Sequence, residues 1–451
     1  MRSLKHESLW IGFIYFIILL GLALWVRDIP NQHDPFITIQ QIVEESRYGD
    51  PKYFAAAAID IAENGWVGSA NEWVLNLWPP GFVLLEALII KVLGPDAPVI
   101  VVLQIITAVL FSIVLVLLYD LLNEHFKGLA FALPLLIFAF PVSRAFLLQP
   151  IGITFGEGLA VGFFMLGILL AFRSAARRSL IYAAYAGLCL ALSAYFRSQF
   201  ELILLALTAW AILLVIAMQI TRLRNSIGPE LVKSIVKTMV VVLLVAHTTM
   251  VPWRAYHWIN QETAQWVLTT ELTYPILLVT SEYLGKDHHA IVGGGNVVCR
   301  IDPATCDNTA SPQNAKKAIV KTFIAHPVEW FLFKFELIGK YWFSSSEKWG
   351  NPSESSIMDL VTNALFLVSL IALAILLLAQ KVRSHYLWIL LLWFNISLFS
   401  AFMAIYTLVH FEVRYFFVPK IVSIMMFIIV VSLYFRPIKR IDAFGNNQFH
   451  E

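Results

Sequence analysis

The chain has 451 residues, 59% of them hydrophobic and only 14% charged, with a formal net charge of +2. Soluble domains hold roughly 45–50% apolar and about 25% charged residues, so a soluble fold could not hide this much apolar surface, and the near-neutral balance gives no electrostatic case for nucleic acid. The excess lies in runs long enough to cross a hydrocarbon layer of roughly 30 Å as helices, which points to an all-α polytopic membrane protein embedded in a lipid bilayer.

In chain order, the first run, Leu9 to Val26, follows a short basic start (Arg2, Lys5) and ends in Trp25-Val26-Arg27-Asp28. No small-residue cleavage site follows it, so it is expected to remain as a first helix rather than be removed as a signal peptide. Further spans are expected at Pro98 to Tyr119, Gly128 to Val142, Glu157 to Phe172, Leu180 to Arg197, Gln199 to Ile220, Val236 to Pro252, Ile357 to Ala379, Tyr386 to Leu408 and Tyr415 to Phe435. That makes about ten spans, and the basic stretches Arg173 to Arg178, Arg222 to Lys237, Lys381 to Arg383 and Arg436 to Arg440 are assigned by the positive-inside rule to the cytoplasm, with both termini.

Parity then constrains Pro79 to Gly94 (PPGFVLLEALIIKVLG). Counted as a full span it would invert the side of Arg173, and it is short, with Glu86 and Lys91 inside it. It is expected as a half-embedded helix at the outer surface, its prolines in the first turn where the missing N–H groups cost nothing. Pro327 to Phe343, interrupted by Lys334, Glu336 and Lys340, is read the same way. The outer face thus carries two large loops, residues 27–97 and 253–356, while the inner loops are short connectors. Chemistry is expected at the outer boundary of the membrane.

Ionisable residues at membrane depth are candidates for function. Asp50 precedes a probable helix, Tyr53 to Asn64, where it also suits an N-cap. Glu157 opens the fourth span, where a carboxylate also suits the positive helix end. Arg197 ends the fifth span on the outer side, a place from which an arginine can also snorkel to the headgroups. Arg414 stands at the outer start of the last span beside Glu412, a ready ion-pair partner, and Arg254 follows Pro252-Trp253. Two carboxylates and three guanidiniums at one depth suit a lipid-linked phosphate, since guanidiniums fork onto phosphate and a carboxylate accepts a proton from an attacking hydroxyl.

Other signals are weaker. Gly293-Gly294-Gly295 lacks the strand and helix of a phosphate loop, and His257, His288, His289 and His326 lack zinc-like spacing. Of three cysteines, Cys189 lies in an apolar run and reads as a packing residue. Cys299 and Cys306 share one polar stretch, either as unrelated thiols or, if that stretch faces an oxidising compartment, as a local disulfide.

The ordered motifs resemble the membrane glycosyltransferases of the GT-C class, in particular the branch of protein O-mannosyltransferases and the lipid A aminoarabinose transferase. The matching pieces are Gly49-Asp50-Pro51-Lys52-Tyr53, Trp78-Pro79-Pro80-Gly81-Phe82, Glu157, Leu192 to Arg197, Pro252-Trp253-Arg254, His326-Pro327 opening a helix that ends in Lys340, and Glu412-Val413-Arg414-Tyr415 with Pro419. The resemblance covers nearly the whole chain. It implies transfer of a sugar from a polyprenyl-phosphate or dolichyl-phosphate donor to an acceptor hydroxyl of a glycan, lipid or protein at the outer face of a bacterial or archaeal cell membrane. It also implies Asp50 as base, Glu157 across the same cavity, and Arg197, Arg254, Arg414, Tyr415, Tyr53 and Lys340 as substrate or phosphate contacts. Glu157 would assist the base, orient the acceptor, or share a divalent cation with Asp50. There are departures. Asn76-Leu77-Trp78 stands where the lipid A branch has an acid and a lysine, and Asp50 is followed by Pro51 where the eukaryotic enzymes have a paired Asp-Glu, so neither acceptor carries over. The alternatives are a transporter or flippase of a lipid-linked saccharide and a non-catalytic scaffold.

Overall fold

The structure is a computed structural model, and it describes residues 6–25, 36–44, 50–123, 126, 128–139, 147–148, 156–217, 229–260, 266–268, 298, 301–302, 312–344, 357–378, 398–406 and 413–434. Its helices are α1 (His6–Trp25), α2 (Ile39–Glu44), α3 (Asp50–Asn64), α4 (Glu72–Leu77), α5 (Gly81–Leu93), α6 (Val99–Asn123), α7 (Glu157–Arg177), α8 (Leu180–Phe196), α9 (Gln199–Ala217), α10 (Pro229–Asn260), α11 (Pro312–Ala325), α12 (Pro327–Trp342), α13 (Ile357–Leu378) and α14 (Phe417–Tyr434). Among the described residues there is no strand, only an isolated bridge between Thr38 and Pro98. Five helices there are long and apolar enough to cross a membrane, with Leu180–Phe196 and Phe417–Val430 as shorter apolar helices. The chain is an all-α integral membrane protein.

Helix α6 (VIVVLQIITAVLFSIVLVLLYDLLN) shows why these runs coil. Its β-branched residues are mediocre helix formers in water, but hydrocarbon offers no partner to a free N–H or C=O, so the segment must satisfy its own backbone. Association then depends on close approach. Gly187 of α8 lies against the Val242 carbonyl of α10, and Gly167 of α7 against the Leu190 side chain and the Ala186 carbonyl of α8. A larger residue at either place would prise the helices apart.

Polar contacts sort the helix ends. Ser8 Oγ donates to Asp120 Oδ1 at 3.1 Å and Tyr119 to Glu7 at 2.6 Å. Arg173 lies 3.5 Å from Asp120, and Ser234 Oγ donates to the Ala175 carbonyl at 3.1 Å. The start of α1, the ends of α6 and α7 and the start of α10 therefore share one end of the bundle. Since α6 and α7 both finish there, the chain between them must climb back. Tyr15 donating to the Phe131 carbonyl at 2.9 Å, Phe138 packing on Phe111 at 5.3 Å and the Leu147 carbonyl against Gly158 trace that climb.

This return differs from expectation. In place of a regular helix over Gly128 to Val142, residues 128–139 form turns and a 3-10 helix, Leu133–Phe138. Pro134 supplies no N–H to an α-helical ladder, and irregular backbone survives at membrane depth only when protein covers it. Ala130, Pro134, Ile137 and Phe138 are all buried. The expected span Ile357 to Ala379 coincides with α13, whereas most of Tyr386 to Leu408 lies outside the described residues, of which 398–406 are helical.

The two short helices expected at the surface sort their charges by face. On α5, Leu84, Leu88 and Val92 form an exposed apolar stripe with Lys91, while Glu86 is buried with Phe82, Val83 and Ile90. On α12, Lys334 is buried, and Glu336 and Lys340 are exposed. Burial pushes the Glu86 carboxyl from 4.5 up to about 8 and the Lys334 ammonium from 10.5 down to about 7. Between pH 4.5 and about 8 the folded chain keeps a proton on Glu86 that the unfolded chain has lost, so stability from this group falls as pH rises through that window. Replacing Glu86 with Gln should flatten the fall and raise the melting temperature at pH 8 relative to wild type; a variant with the wild-type pH profile in thermal unfolding would exclude this origin.

Candidate active site

At the other end of the bundle, α7 begins after Gly156, whose left-handed backbone (φ +82) turns the chain sharply. A Cβ at Gly156 would lie 2.9 Å from the Phe82 ring. Glu157 is the first helical residue, so its carboxylate sits in the favourable field of the helix start. Helix α8 ends at Phe196, and Arg197 follows as its extended C-cap (φ −149°). Arg197 Nη2 lies 2.6 Å from Glu157 Oε1, with the side chains 11% and 1% exposed. This arginine does not snorkel. Its guanidinium also stands 5.8 Å from the centre of the Tyr415 ring, within reach of a cation–π attraction. Tyr415 lies in the 3-10 turn Val413–Phe416 and its carbonyl accepts from the Tyr406 hydroxyl at 2.6 Å. Glu157, Arg197 and Tyr415 are thus brought together.

A second pair lies alongside. Arg254 near the end of α10 donates from Nε to Glu201 Oε1 at 2.8 Å, its Nη2 is 2.6 Å from the same oxygen, and its Nη1 is 3.2 Å from His247 Nδ1. Glu201 Oε2 accepts from the Leu268 N–H at 2.9 Å, and His247 Nε2 is 3.0 Å from Thr208 Oγ1. Each nitrogen of the Arg254 guanidinium is engaged inside the protein.

Helices α3 and α5 wall this end. Phe54 packs on Trp78 at 4.8 Å and on Phe82 at 5.9 Å, and a Cβ at Gly81 would lie 2.6 Å from the Tyr195 carbonyl oxygen, so the Trp-Pro-Pro-Gly-Phe stretch docks α5 against the end of α8. Asp50 is the first residue of α3, one turn before Phe54, and its side chain lies outside those described. Tyr53 is partly exposed and packs on Trp73 at 5.0 Å. Arg414 belongs to the 3-10 turn, with its side chain outside those described. Lys340 is exposed at the end of α12. Cys299 and Cys306 lie outside the described residues, and Cys189 is buried with a free thiol. Among the described residues no three of His, Cys, Asp and Glu gather as a metal site.

Sequence reading missed Glu201, His247 and Lys420. An acid near the start of an apolar run announces that it needs a partner, but nothing local names Arg254, 53 positions away. Lys420, in the first turn of α14, is buried with its ammonium 5.6 Å from the Trp342 ring and 5.8 Å from the Phe417 ring.

Fold and site together define a helical membrane protein with two buried acid–arginine pairs at one end of its bundle. No family model matches the sequence, and no curated protein matches it. Among solved structures the chain is similar to the archaeal oligosaccharyltransferase AglB from Archaeoglobus fulgidus in complex with an inhibitory peptide and a dolichol-phosphate, with a TM-score of 0.51 and 13% identity over 100% of this chain and 53% of that one. The chain spans about half the length of that structure, and at this identity the likeness establishes the fold alone.

Removing one partner of a buried ion pair strands a charge, which costs about 3–5 kcal/mol. Glu201→Ala should therefore lower stability by about that amount, and the double change Glu201→Ala with Arg254→Leu should recover part of it. Unfolding in detergent or nanodiscs decides this, and a single variant as stable as wild type would deny the pair its structural role. Gly81→Ala should cost about 1–3 kcal/mol through overpacking against Tyr195, read in the same assay.

Proposed function

We propose that the chain is a glycosyltransferase that moves a sugar from a polyprenyl-phosphate donor to an acceptor hydroxyl at the outer face of the membrane, with about ten spans, both termini cytoplasmic and the loops 27–97 and 253–356 outside. The observation that carries this reading is the buried Glu157–Arg197 pair beside Tyr415, linked through Phe82 and Phe54 to the helix that begins at Asp50. An acid–guanidinium site at the boundary of an apolar bundle suits a substrate that is part lipid and part phosphate. The likeness to a structure that holds a dolichol-phosphate agrees with it.

The acceptor oxygen attacks the anomeric carbon while the bond from that carbon to the phosphate oxygen breaks, inverting the centre. Asp50 takes the acceptor proton. Polyprenyl phosphate leaves with the bonding electron pair and needs little protonation, so the site chiefly has to supply positive charge where negative charge grows. Arg197 and Arg414 do so, with Glu157 fixing the Arg197 guanidinium and Tyr415 covering it. Arg254 acts as the tie between α10 and α9, because Glu201 and His247 already hold its donors.

A general base contributes about 10²–10⁴-fold. Incubating purified protein with radiolabelled polyprenyl-phosphate mannose, glucose and aminoarabinose should consume one of the three, and Asp50→Ala should lose turnover within that range while keeping the wild-type melting temperature. Near-normal transfer by the variant would remove Asp50 as base. Transport of an intact donor across sealed vesicles without cleavage would replace the enzyme with a flippase.

A further inference from the structure

The hairpin of α3 and α4 carries a surface that the donor chemistry leaves unused. Tyr53, Trp66 and Trp73 are 40%, 42% and 40% exposed, and they belong to two groups of packed rings. Tyr53 packs on Trp73 at 5.0 Å and Trp73 on Trp78 at 5.6 Å, while Trp66 meets Trp253 at 5.9 Å and Tyr256 at 5.1 Å. Glu72, next to Trp73 in α4, joins the two groups by accepting from the Tyr256 hydroxyl at 3.1 Å. Asp60 braces the turn between the helices, accepting from the Gly68 N–H at 3.0 Å and from Asn71 at 2.9 Å.

Three kinds of partner suit exposed rings. A membrane interface attracts Trp and Tyr, but the carboxylates of Asp60 and Glu72 set among the rings are costly to draw toward hydrocarbon. A peptide that binds by strand addition needs a sheet edge, and the described residues offer none; a proline-rich peptide that binds on rings has few polar groups for the acids beside them. A saccharide uses both features at once. Its C–H faces stack on aromatic rings, and its hydroxyls donate strongly to carboxylates. Position adds to composition: Tyr53 comes three residues after position 50 in α3, so the two share a helical face about one turn apart.

We infer that the acceptor of the proposed transfer is itself a saccharide, held on this acid-edged aromatic surface with one sugar at Tyr53 and Trp73 beside the start of α3 and the rest of the chain running toward Trp66. The inference rests on the glycosyltransferase reading for the word acceptor; the binding surface does not.

Full-length protein in nanodiscs, titrated with α-1,2-mannobiose, cellotriose and chitotriose by saturation-transfer NMR, tests it. At least one probe should bind saturably, Trp73→Ala and Trp66→Ala should each weaken it about tenfold, and Trp73→Phe, which keeps a stacking face, should restore most of the affinity. Absence of binding for all three probes, an affinity unmoved by both alanine changes, or displacement of the sugar by a Ser/Thr/Asn-rich hexapeptide would overturn it. The two readings separate in the wild type. Saccharide binding without consumption of any lipid-linked sugar sinks the transferase and keeps the surface; consumption without saccharide binding does the reverse.

Discussion

No charge can be left unpaired inside an apolar bundle, and one short corner of the chain meets that constraint for four helices. Arg197 ends α8 and Glu201 opens α9 four residues later, in a turn closed by the Phe200 and Glu201 N–H groups on the Arg197 and Ser198 carbonyls. Arg197 reaches the start of α7 through Glu157, and Glu201 reaches the end of α10 through Arg254. The corner thus contributes a cation to one pair and an anion to the next. Neither member can be lost without stranding a charge on a neighbouring helix, so the fold and the candidate site depend on the same four side chains.

The two ends of the bundle solve their polar problem differently. Where α1, α6, α7 and α10 meet, hydroxyls carry most of the load, as in Ser8 on Asp120 and Tyr119 on Glu7, with Arg173 only loosely approaching Asp120 at 3.5 Å. Such contacts hold the ends together, and the cations beside them, Arg177 and Arg178, are exposed rather than held in a buried pair. At the opposite end, charge is gathered, buried and paired. On the proposed reading, the end where donors are buried and fixed before a headgroup arrives is the place for phosphate chemistry.

Much of this was legible in the sequence, for identifiable reasons. Glu157 and Arg197 stood out because charge is scarce in apolar surroundings, Tyr415 only through the resemblance to a family motif, and all three converge. Helix α5 was visible from its prolines and its length. The return segment 128–139 was misread as a regular helix because hydropathy reports burial in something apolar and cannot distinguish lipid from protein, and only protein tolerates an irregular backbone at depth. The partner of Arg254 was hidden for a different reason: a pairing across 53 positions depends on the packing of α9 against α10, which no local pattern encodes.

The choice of arginine at position 197 follows from what that side chain must do at once. One edge of its guanidinium meets Glu157, and the plane lies near the Tyr415 ring. A guanidinium has five donors spread over a rigid plane, so a carboxylate and a ring leave donors on another edge for a phosphate. A lysine ammonium concentrates its charge at one point; Glu157 would hold it there, and it has no plane to set against the ring. Glu157 neutralises the pair, which makes burial tolerable, and on the proposed reading an arriving phosphate finds donors already oriented and partly stripped of water. On the proposed reading, the same ion pair that keeps α7 and α8 together before substrate binds is what prepares the bundle for a leaving group whose charge grows during transfer.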